Sequence, residues 1–334
     1  MGMDQDNNNK SCRGLMVLCL PRERMTPEVV EQFKARGEGR AVLVAPGEKE
    51  VEGLVEQIEI GFGDVPFSLV SRMPRLQWIQ LWSAGADWLQ QYPELAGLPF
   101  KLTTTSGMHR QQITEHVFGM LLAWNRRLPE AFACQSRHEW RKMPLSGLSV
   151  LEGKRMLILG YGAIGAGIAR AALTFGMRVT GIRRSGPPVP REEEGVLVVS
   201  AAKLPDQLPL ADVVVNILPL TDETRGSFGA AELAVMKKTA LYVNVGRGAT
   251  TDQGALLKAL KSRAIAGALL DVTDPEPLPP DSPLWDLDNL LLTGHYAGFH
   301  PDYDAIALKI ALDNLDRYVR GEPLVNLVDK TAGY

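Results

Sequence analysis

The feature that most constrains this chain is the stretch from Lys154 to Ser185, KRMLILGYGAIGAGIARAALTFGMRVTGIRRS, which reads as strand, glycine turn, helix and strand. Arg155 to Leu159 is a short apolar run of strand length. Ile164, Ile168, Ala171 and Phe175 then recur at helical spacing as far as Gly176, a helix-ending residue, and Met177 to Ile182 is strand-like again. Between the first strand and the helix stands Gly160-Tyr161-Gly162-Ala163-Ile164-Gly165, a G-x-G-x-x-G. In that pattern Gly160 makes the tight turn, Gly162 lets a pyrophosphate approach the backbone, and Gly165 lets the helix pack close to the strand. The helix N-terminus offers its N–H groups to the phosphates. Among 32 glycines in 334 residues the pattern alone is weak; its position between a strand and an amphipathic helix gives it weight. The alternative is a glycine turn that only packs a helix onto a sheet.

The end of the second strand decides which dinucleotide is bound. An NAD site places an Asp or Glu there, about 20 residues on, to accept from the ribose hydroxyls. This chain has Arg183-Arg184-Ser185 instead. Two guanidinium groups and a hydroxyl suit a 2′-phosphate, so the expected cofactor is NADP(H), with NAD(H) as second choice. The alternative is a pair of surface arginines without a ligand.

A length of 334 residues is expected to hold two domains, and 45% hydrophobic with 22% charged residues is ordinary for a soluble globular protein. The net charge of −3 argues against nucleic acid as a main partner. Cys12, Cys19 and Cys134 lack the spacing of a metal site or a disulfide framework, which points to a reducing compartment. No apolar run approaches the roughly 18 residues of a membrane span, and the polar head MGMDQDNNNK has neither signal-peptide nor transit-peptide character. The head is expected to be a disordered tail, and the protein cytoplasmic.

Before the glycine turn, Leu15 to Leu20, Ala41 to Val44, Gln57 to Ile60 and Leu76 to Leu81 read as strands, and Thr26-Pro27-Glu28 opens a helix with a capping side chain and Pro at its first position. This alternation predicts a smaller parallel α/β domain. The turn Ser83-Ala84-Gly85, just beyond one strand, is placed for backbone N–H groups to meet an anion, or is an ordinary connection. Phe62, Trp82 and Trp88 are candidates to shape a substrate pocket. A long helix is expected from His109 to Leu128, with Ile113, Val117, Leu121, Trp124 and Leu128 on one stripe. Later, Ala211 to Leu218, Leu241 to Val245, Ala266 to Val272 and Asn289 to Thr293 read as strands, with helices near Ala230 to Lys237 and Gln253 to Lys261. Continuous apolar runs such as VVVNIL fit a sheet covered on both faces. Asp274 to Pro283 is a loop, and a last helix spans Pro301 to Val319.

Three polar residues stand at the ends of the late strands: Arg247 in NVGRG, Glu276 in DVTDPEP and His295 in LTGHYAG. All fall on the carboxyl edge of the sheet, with the glycine turn. A carboxylate beside an imidazole holds one tautomer and favours its charged form. An arginine fork binds a substrate carboxylate and polarises an adjacent carbonyl. Together these are the parts needed to reduce a 2-keto acid by hydride transfer, with His295 moving the proton. Taken singly, each has a bland alternative: a core histidine, a surface cation, a solvated carboxylate. His109, His116, His138 and His300 are expected to be structural or surface residues.

With these residues in order, the chain resembles the D-isomer-specific 2-hydroxyacid dehydrogenases, in particular the glyoxylate/hydroxypyruvate reductase branch. NVGRG, DPEPLP, LQWIQLWSAGADWL, ITEHVFGMLLAWNRRL, LEGKRMLILGYGAIG, VNILPLTDETRG and PLWDLDNLLLTGHYAG carry the likeness, from about Leu76 to Gly321. The resemblance implies a Rossmann-type doubly wound parallel coenzyme domain over residues 105–299. It also implies a smaller, discontinuous flavodoxin-like α/β substrate domain over residues 1–104 and 300–334. It implies that Arg247 binds substrate, that His295 is the acid/base with Glu276 as its partner, that Ser83, Ala84 and Gly85 meet the substrate carboxylate, and that Asp271 holds the nicotinamide amide. The expected cofactor contacts are Gly160, Gly162, Ala163, Ile164, Gly165, Arg183, Arg184, Ser185, Leu218, Pro219, Val245, Gly246 and Asp271. A homodimer is implied, with Trp140 reaching the partner's site. One departure stands out, Gly294 where the family usually has Pro before the histidine; it loosens the backbone where a proton must be moved. The competing readings are a dinucleotide-sensing protein resembling the C-terminal-binding corepressors and a phosphoglycerate dehydrogenase-like enzyme; a formate dehydrogenase is disfavoured by Glu276, where that branch carries Gln.

Overall fold

The computed structural model describes residues 14–187 and 189–333; the head MGMDQDNNNK and Cys12 lie outside the described residues. The chain divides into two compact units, one running to Met108 and resuming at Pro301, the other spanning His109–His300.

In the first unit, β1 (Leu15–Cys19), β2 (Val42–Val44), β3 (Ile58–Gly63), β4 (Trp78–Gln80) and β5 (Lys101–Thr103) form one sheet in the order β2-β1-β3-β4-β5. Every pairing is parallel, and the order is that of flavodoxin-like sheets. Helices Pro27–Arg36 and Tyr303–Val319 cover one face. There Ala307, Ala311 and Leu315 pack with Met16, Leu18, Phe33, Ile60 and Trp78, all at 0% exposure. Phe62 belongs to this core, set edge-on against Trp78, and so does not line a pocket as expected. Its apolar bulk gives about 1.5–3 kcal/mol by burial, and the period-2 alternation of β3 points it inward. Thr26 precedes Pro27 as expected, but its hydroxyl caps no backbone N–H of the helix.

In the second unit, β6 (Arg155–Leu159), β7 (Arg178–Arg183), β8 (Arg191–Glu193), β9 (Val196–Ser200), β10 (Val213–Asn216), β11 (Leu241–Asn244), β12 (Gly267–Leu270) and β13 (Leu290–Leu292) form a second sheet. Its order is β13-β12-β11-β10-β6-β7-β9-β8, parallel except for the β8–β9 pair. The run β9-β7-β6-β10-β11-β12 is the doubly wound order of dinucleotide-binding sheets, with its switch point between β6 and β10. β10, β11 and β12 are buried along their whole length, as a sheet with helices on both faces requires.

Two expectations are corrected here. The helix expected from roughly His109 to Leu128 is Arg110–Asn125, ending three residues early, and a second helix, Leu128–Ser136, follows where none is expected. Arg127 between them has φ 55°, outside helical geometry, and Pro129 opens the second helix because its missing N–H is tolerated there. The stretch between Arg183 and Ala211, for which no strand is expected, supplies β8 and β9, a hairpin turning through Glu194 and Gly195 at positive φ. No helix among the described residues is long and apolar enough to cross a membrane.

Candidate active site

The glycine turn sits at the switch point, and its three glycines are needed for three different reasons. Gly160 has φ +94°, and a Cβ there would meet the Ile217 carbonyl oxygen at 3.0 Å. Gly165 would carry its Cβ to 3.2 Å from the Gly160 oxygen and 3.3 Å from the Ile158 side chain, so the helix lies directly on β6. Gly162, the N-cap of helix Ala163–Thr174, has nothing within 4 Å of its Cβ position. The first two are closed by protein, and the third leaves open space at the head of a three-turn helix whose first N–H groups have no intrahelical acceptor. A dinucleotide pyrophosphate fits that cradle.

The loops after β10 and β11 meet this turn. A Cβ on Gly246 would lie 2.9 Å from the Leu218 oxygen, so Gly160, Leu218 and Gly246 come together. A buried polar network fixes the two loops. The Asn216 amide donates to Tyr242 Oη (2.9 Å) and Thr250 Oγ1 (3.0 Å), and its oxygen accepts from the Leu218 N–H (3.1 Å). The Asn244 amide donates to the Arg247 carbonyl (3.1 Å) and Thr251 Oγ1 (3.0 Å), and its oxygen accepts from the Gly246 N–H (3.0 Å). Satisfied buried networks of this kind rigidify what they touch. Asn216 and Asn244 therefore hold the loops that carry Leu218 and Gly246. Their signal is visible: VVVN and LYVN end alike, and the two asparagines are register partners.

Arg247 follows the second loop, half-buried, its guanidinium donating to the Gly246 carbonyl at 2.9 Å. Gly248 beside it packs on the backbone of Thr273 so closely that a Cβ would overlap the Thr273 oxygen at 1.9 Å. The Thr273 N–H donates to Glu276 Oε1 (2.9 Å), and Glu276 Oε2 pairs with His295 Nδ1 (2.6 Å). The structure thus links Arg247, Glu276 and His295 through one short run of contacts. With Nδ1 pairing the carboxylate, Nε2 is the nitrogen left to exchange a proton. The His295 side chain is 49% exposed.

His295 has φ +56°, a left-handed backbone worth roughly 1–2 kcal/mol of strain in a residue with a Cβ. Asp271 holds it there. The Asp271 carbonyl accepts from the His295 N–H at 2.8 Å. Its carboxylate, 2% exposed, accepts from Thr293 Oγ1 (2.6 Å) and the N–H groups of Tyr296 (3.2 Å) and Ala297 (3.0 Å). These bonds span the turn on both sides of Gly294 and His295.

Two histidines expected to be structural or surface residues join the same region. His116 Nε2 contacts Thr293 Oγ1 (2.9 Å) and lies 3.6 Å from Asp271; burial lowers its pKa against the opposing pull of Asp271. His109 Nδ1 faces the Gly298 carbonyl at 3.0 Å. Its pKa is lowered by burial first and by the Arg247 charge, against the bond to Gly298. His138 is exposed.

At the end of β7, Arg183 donates from Nε to the Tyr161 carbonyl (2.9 Å) and pairs with Glu193 of the hairpin (Nη2 to Oε2, 3.0 Å). Arg184 lies 3.8 Å from Glu223, and Ser185 is exposed. In the first unit, Ser83-Ala84-Gly85 follows β4; the Ser83 carbonyl accepts from the Thr105 N–H (3.0 Å) and its hydroxyl donates to the Gly85 carbonyl (3.1 Å). Trp82 is buried, its indole N–H donating to Asp304. Trp88 is half-buried and stacks on Phe67. Among the described residues no cluster of three or more His, Cys, Asp or Glu side chains is arranged to hold a metal.

Comparison with known proteins agrees with this geometry. Residues 118–297 match the family model described as D-isomer specific 2-hydroxyacid dehydrogenase, NAD binding domain. A glyoxylate reductase of Aeropyrum pernix is 38% identical over 78% of this chain and 79% of its own length. One from Thermococcus litoralis is 34% identical over 84% and 85%. Among solved structures, a D-isomer specific 2-hydroxyacid dehydrogenase of Xanthobacter autotrophicus Py2, in complex with NADPH and MES, superposes with a TM-score of 0.80 at 31% identity, covering 96% of this chain and all of that one. An NADPH-dependent glyoxylate/hydroxypyruvate reductase of Sinorhizobium meliloti, in complex with NADP and sulfate, gives 0.79 at 29% identity over 96% and 99%. The doubly wound sheet, the open glycine cradle and a family match that spans both lead to one conclusion: this chain belongs to the D-isomer-specific 2-hydroxyacid dehydrogenases, oxidoreductases that work with a nicotinamide dinucleotide.

Proposed function

We propose that the protein is an NADPH-preferring reductase of small 2-keto acids, glyoxylate and hydroxypyruvate being the substrates of choice, and that Arg247, Glu276 and His295 carry the reaction. The observation that carries this reading is the 2.6 Å pair between Glu276 and His295 Nδ1, which leaves Nε2 to move a proton. The chemistry a bound reduced nicotinamide supplies is a hydride equivalent for the keto carbon. His295 protonates the oxygen as negative charge develops on it, and Glu276 stabilises the imidazolium and fixes its tautomer. Arg247 binds the substrate carboxylate and lowers the energy of the developing alkoxide. Ser83, Ala84 and Gly85, in the first unit, would offer backbone N–H groups to a substrate carboxylate, the role of a substrate-binding domain.

The dinucleotide would be held by Gly160, Gly162, Ala163, Ile164 and Gly165 at its phosphates, and by Arg183, Arg184 and Ser185 at its 2′ end. Leu218, Pro219, Val245, Gly246 and Asp271 would take the nicotinamide side. Similarity to reductases whose structures contain NADP supports the cofactor preference. We further assign the protein to the cytoplasm as a homodimer, with the exposed Trp140 reaching the partner subunit; free Cys19 and Cys134 suit a reducing compartment.

The test is initial-rate measurement of NADPH and NADH oxidation with glyoxylate, hydroxypyruvate, pyruvate, phenylpyruvate and branched 2-keto acids. Turnover highest for the two smallest polar acids, and faster with NADPH, is expected. Dinucleotide binding without turnover of any of them would replace this reading with a sensing role.

A further inference from the structure

The end of β7 carries an unusual combination. Where an NAD site has its acidic residue, this chain has Arg183, yet a carboxylate is present all the same, delivered from the β8–β9 hairpin. Glu193 is the last residue of β8, opposite Val196 in register. It grips the Arg183 guanidinium with both oxygens, Oε2 at 3.0 Å from Nη2 and Oε1 at 3.4 Å from Nη1. Arg191, on the same strand, donates to Oε1 as well. On its other side Arg183 is fixed by the bond from Nε to the Tyr161 carbonyl and lies over the Tyr161 ring, 5.0 Å from its centroid. The guanidinium is therefore clamped between the glycine turn and the hairpin. Glu193 keeps only 21% of its side chain exposed, against 41% for Arg183.

We propose that Glu193 is a specificity-determining residue that restrains the preference for the 2′-phosphorylated cofactor. The proposal rests on the reading above that the end of β7 receives the adenosine ribose. A 2′-phosphate needs the donors that Glu193 already occupies and must also approach a carboxylate of like charge. A 2′-hydroxyl meets no such opposition, because a carboxylate accepts its hydrogen bond. One guanidinium shared in this way makes a site that takes both dinucleotides, with Glu193 narrowing the gap between them. Arg184, beside it, lies 3.8 Å from Glu223 with its side chain 51% exposed.

The experiment measures Kd for NADPH and for NADH, by fluorescence of the bound reduced nicotinamide, on the full chain and on Glu193→Gln, Glu193→Asp and Arg183→Gln. Glu193→Gln is expected to raise the ratio of NADH Kd to NADPH Kd by about tenfold, which corresponds to about 1.4 kcal/mol. Glu193→Asp, with its charge drawn back by one methylene, should raise it by less. Arg183→Gln should lower the ratio. Both cofactors are measured on one preparation, so any loss of folded protein cancels in the ratio. An unchanged or reduced ratio in both Glu193 variants, with Arg183→Gln still selective against NADPH, overturns the proposal and leaves the cofactor reading standing. A ratio unmoved in all three variants overturns both.

Discussion

Replacing Asp271 by Asn should loosen the turn that carries His295 while keeping the side chain's size. The carboxylate accepts three hydrogen bonds, from Thr293 Oγ1, Tyr296 N–H and Ala297 N–H, at 2% exposure. An amide has one acceptor oxygen, and its NH₂ turned toward a backbone N–H sets donor against donor. At least one buried N–H is stranded, at a cost of about 1–3 kcal/mol, and the surviving bonds lose their charge assistance. A loss of roughly 3 kcal/mol is expected, which lowers Tm by roughly 6–12 °C for a unit of this size. His295, at φ +56°, sits in the turn these bonds hold, and a displacement of about 1 Å costs roughly 100-fold in rate. Thermal unfolding followed by circular dichroism, together with kcat for hydroxypyruvate reduction, reads both effects. A Tm within about 1 °C of the parent and an unchanged kcat would refute the positioning role given to Asp271.

His295→Asn should lower kcat by roughly 10²–10⁴ through loss of the proton donor, with NADPH affinity measured by fluorescence unchanged. Gly248→Ala should destabilise the second unit by about 1–3 kcal/mol in urea unfolding, since its methyl would overlap the Thr273 oxygen at 1.9 Å. It should slow turnover as well, because Thr273 carries the N–H that orients Glu276. Burial holds His109 and His116 below the usual histidine value of 6.5. As pH falls below 6.5 the unfolded chain takes up protons that the folded chain refuses, so these two groups should reduce stability progressively on acidification and contribute nothing above that range; urea midpoints at a series of pH values check the sign.

What the sequence discloses follows the range of the interactions involved. The glycine turn, its strand and its helix are local, and each residue's part in them can be read from chain geometry alone. The apolar strands are legible for the same reason, since burial on both faces leaves a continuous run. The trio proposed to carry the reaction, Arg247, Glu276 and His295, is legible only as three strand-end polar residues; the Gly248–Thr273 approach beside them depends on a backbone overlap no composition reveals. The hairpin is not legible because REEEGVLVVS mixes a charged strand with an apolar one, and its acids resemble a solvated loop although Glu193 pairs with Arg183. The break at Arg127 was hidden in the same way: an apolar stripe continues through it, and only the left-handed φ ends the helix. An aromatic near a strand end, such as the buried Phe62, serves a core as readily as a pocket, and chain pattern does not separate the two.

The most direct measurement is chiral analysis of the product formed from hydroxypyruvate and NADPH. Stoichiometric D-glycerate, formed by the parent protein and lost in His295→Asn, is the predicted result. L-glycerate, or oxidised cofactor without any reduced acid, would contradict the assignment of His295 and Arg247 to this reaction.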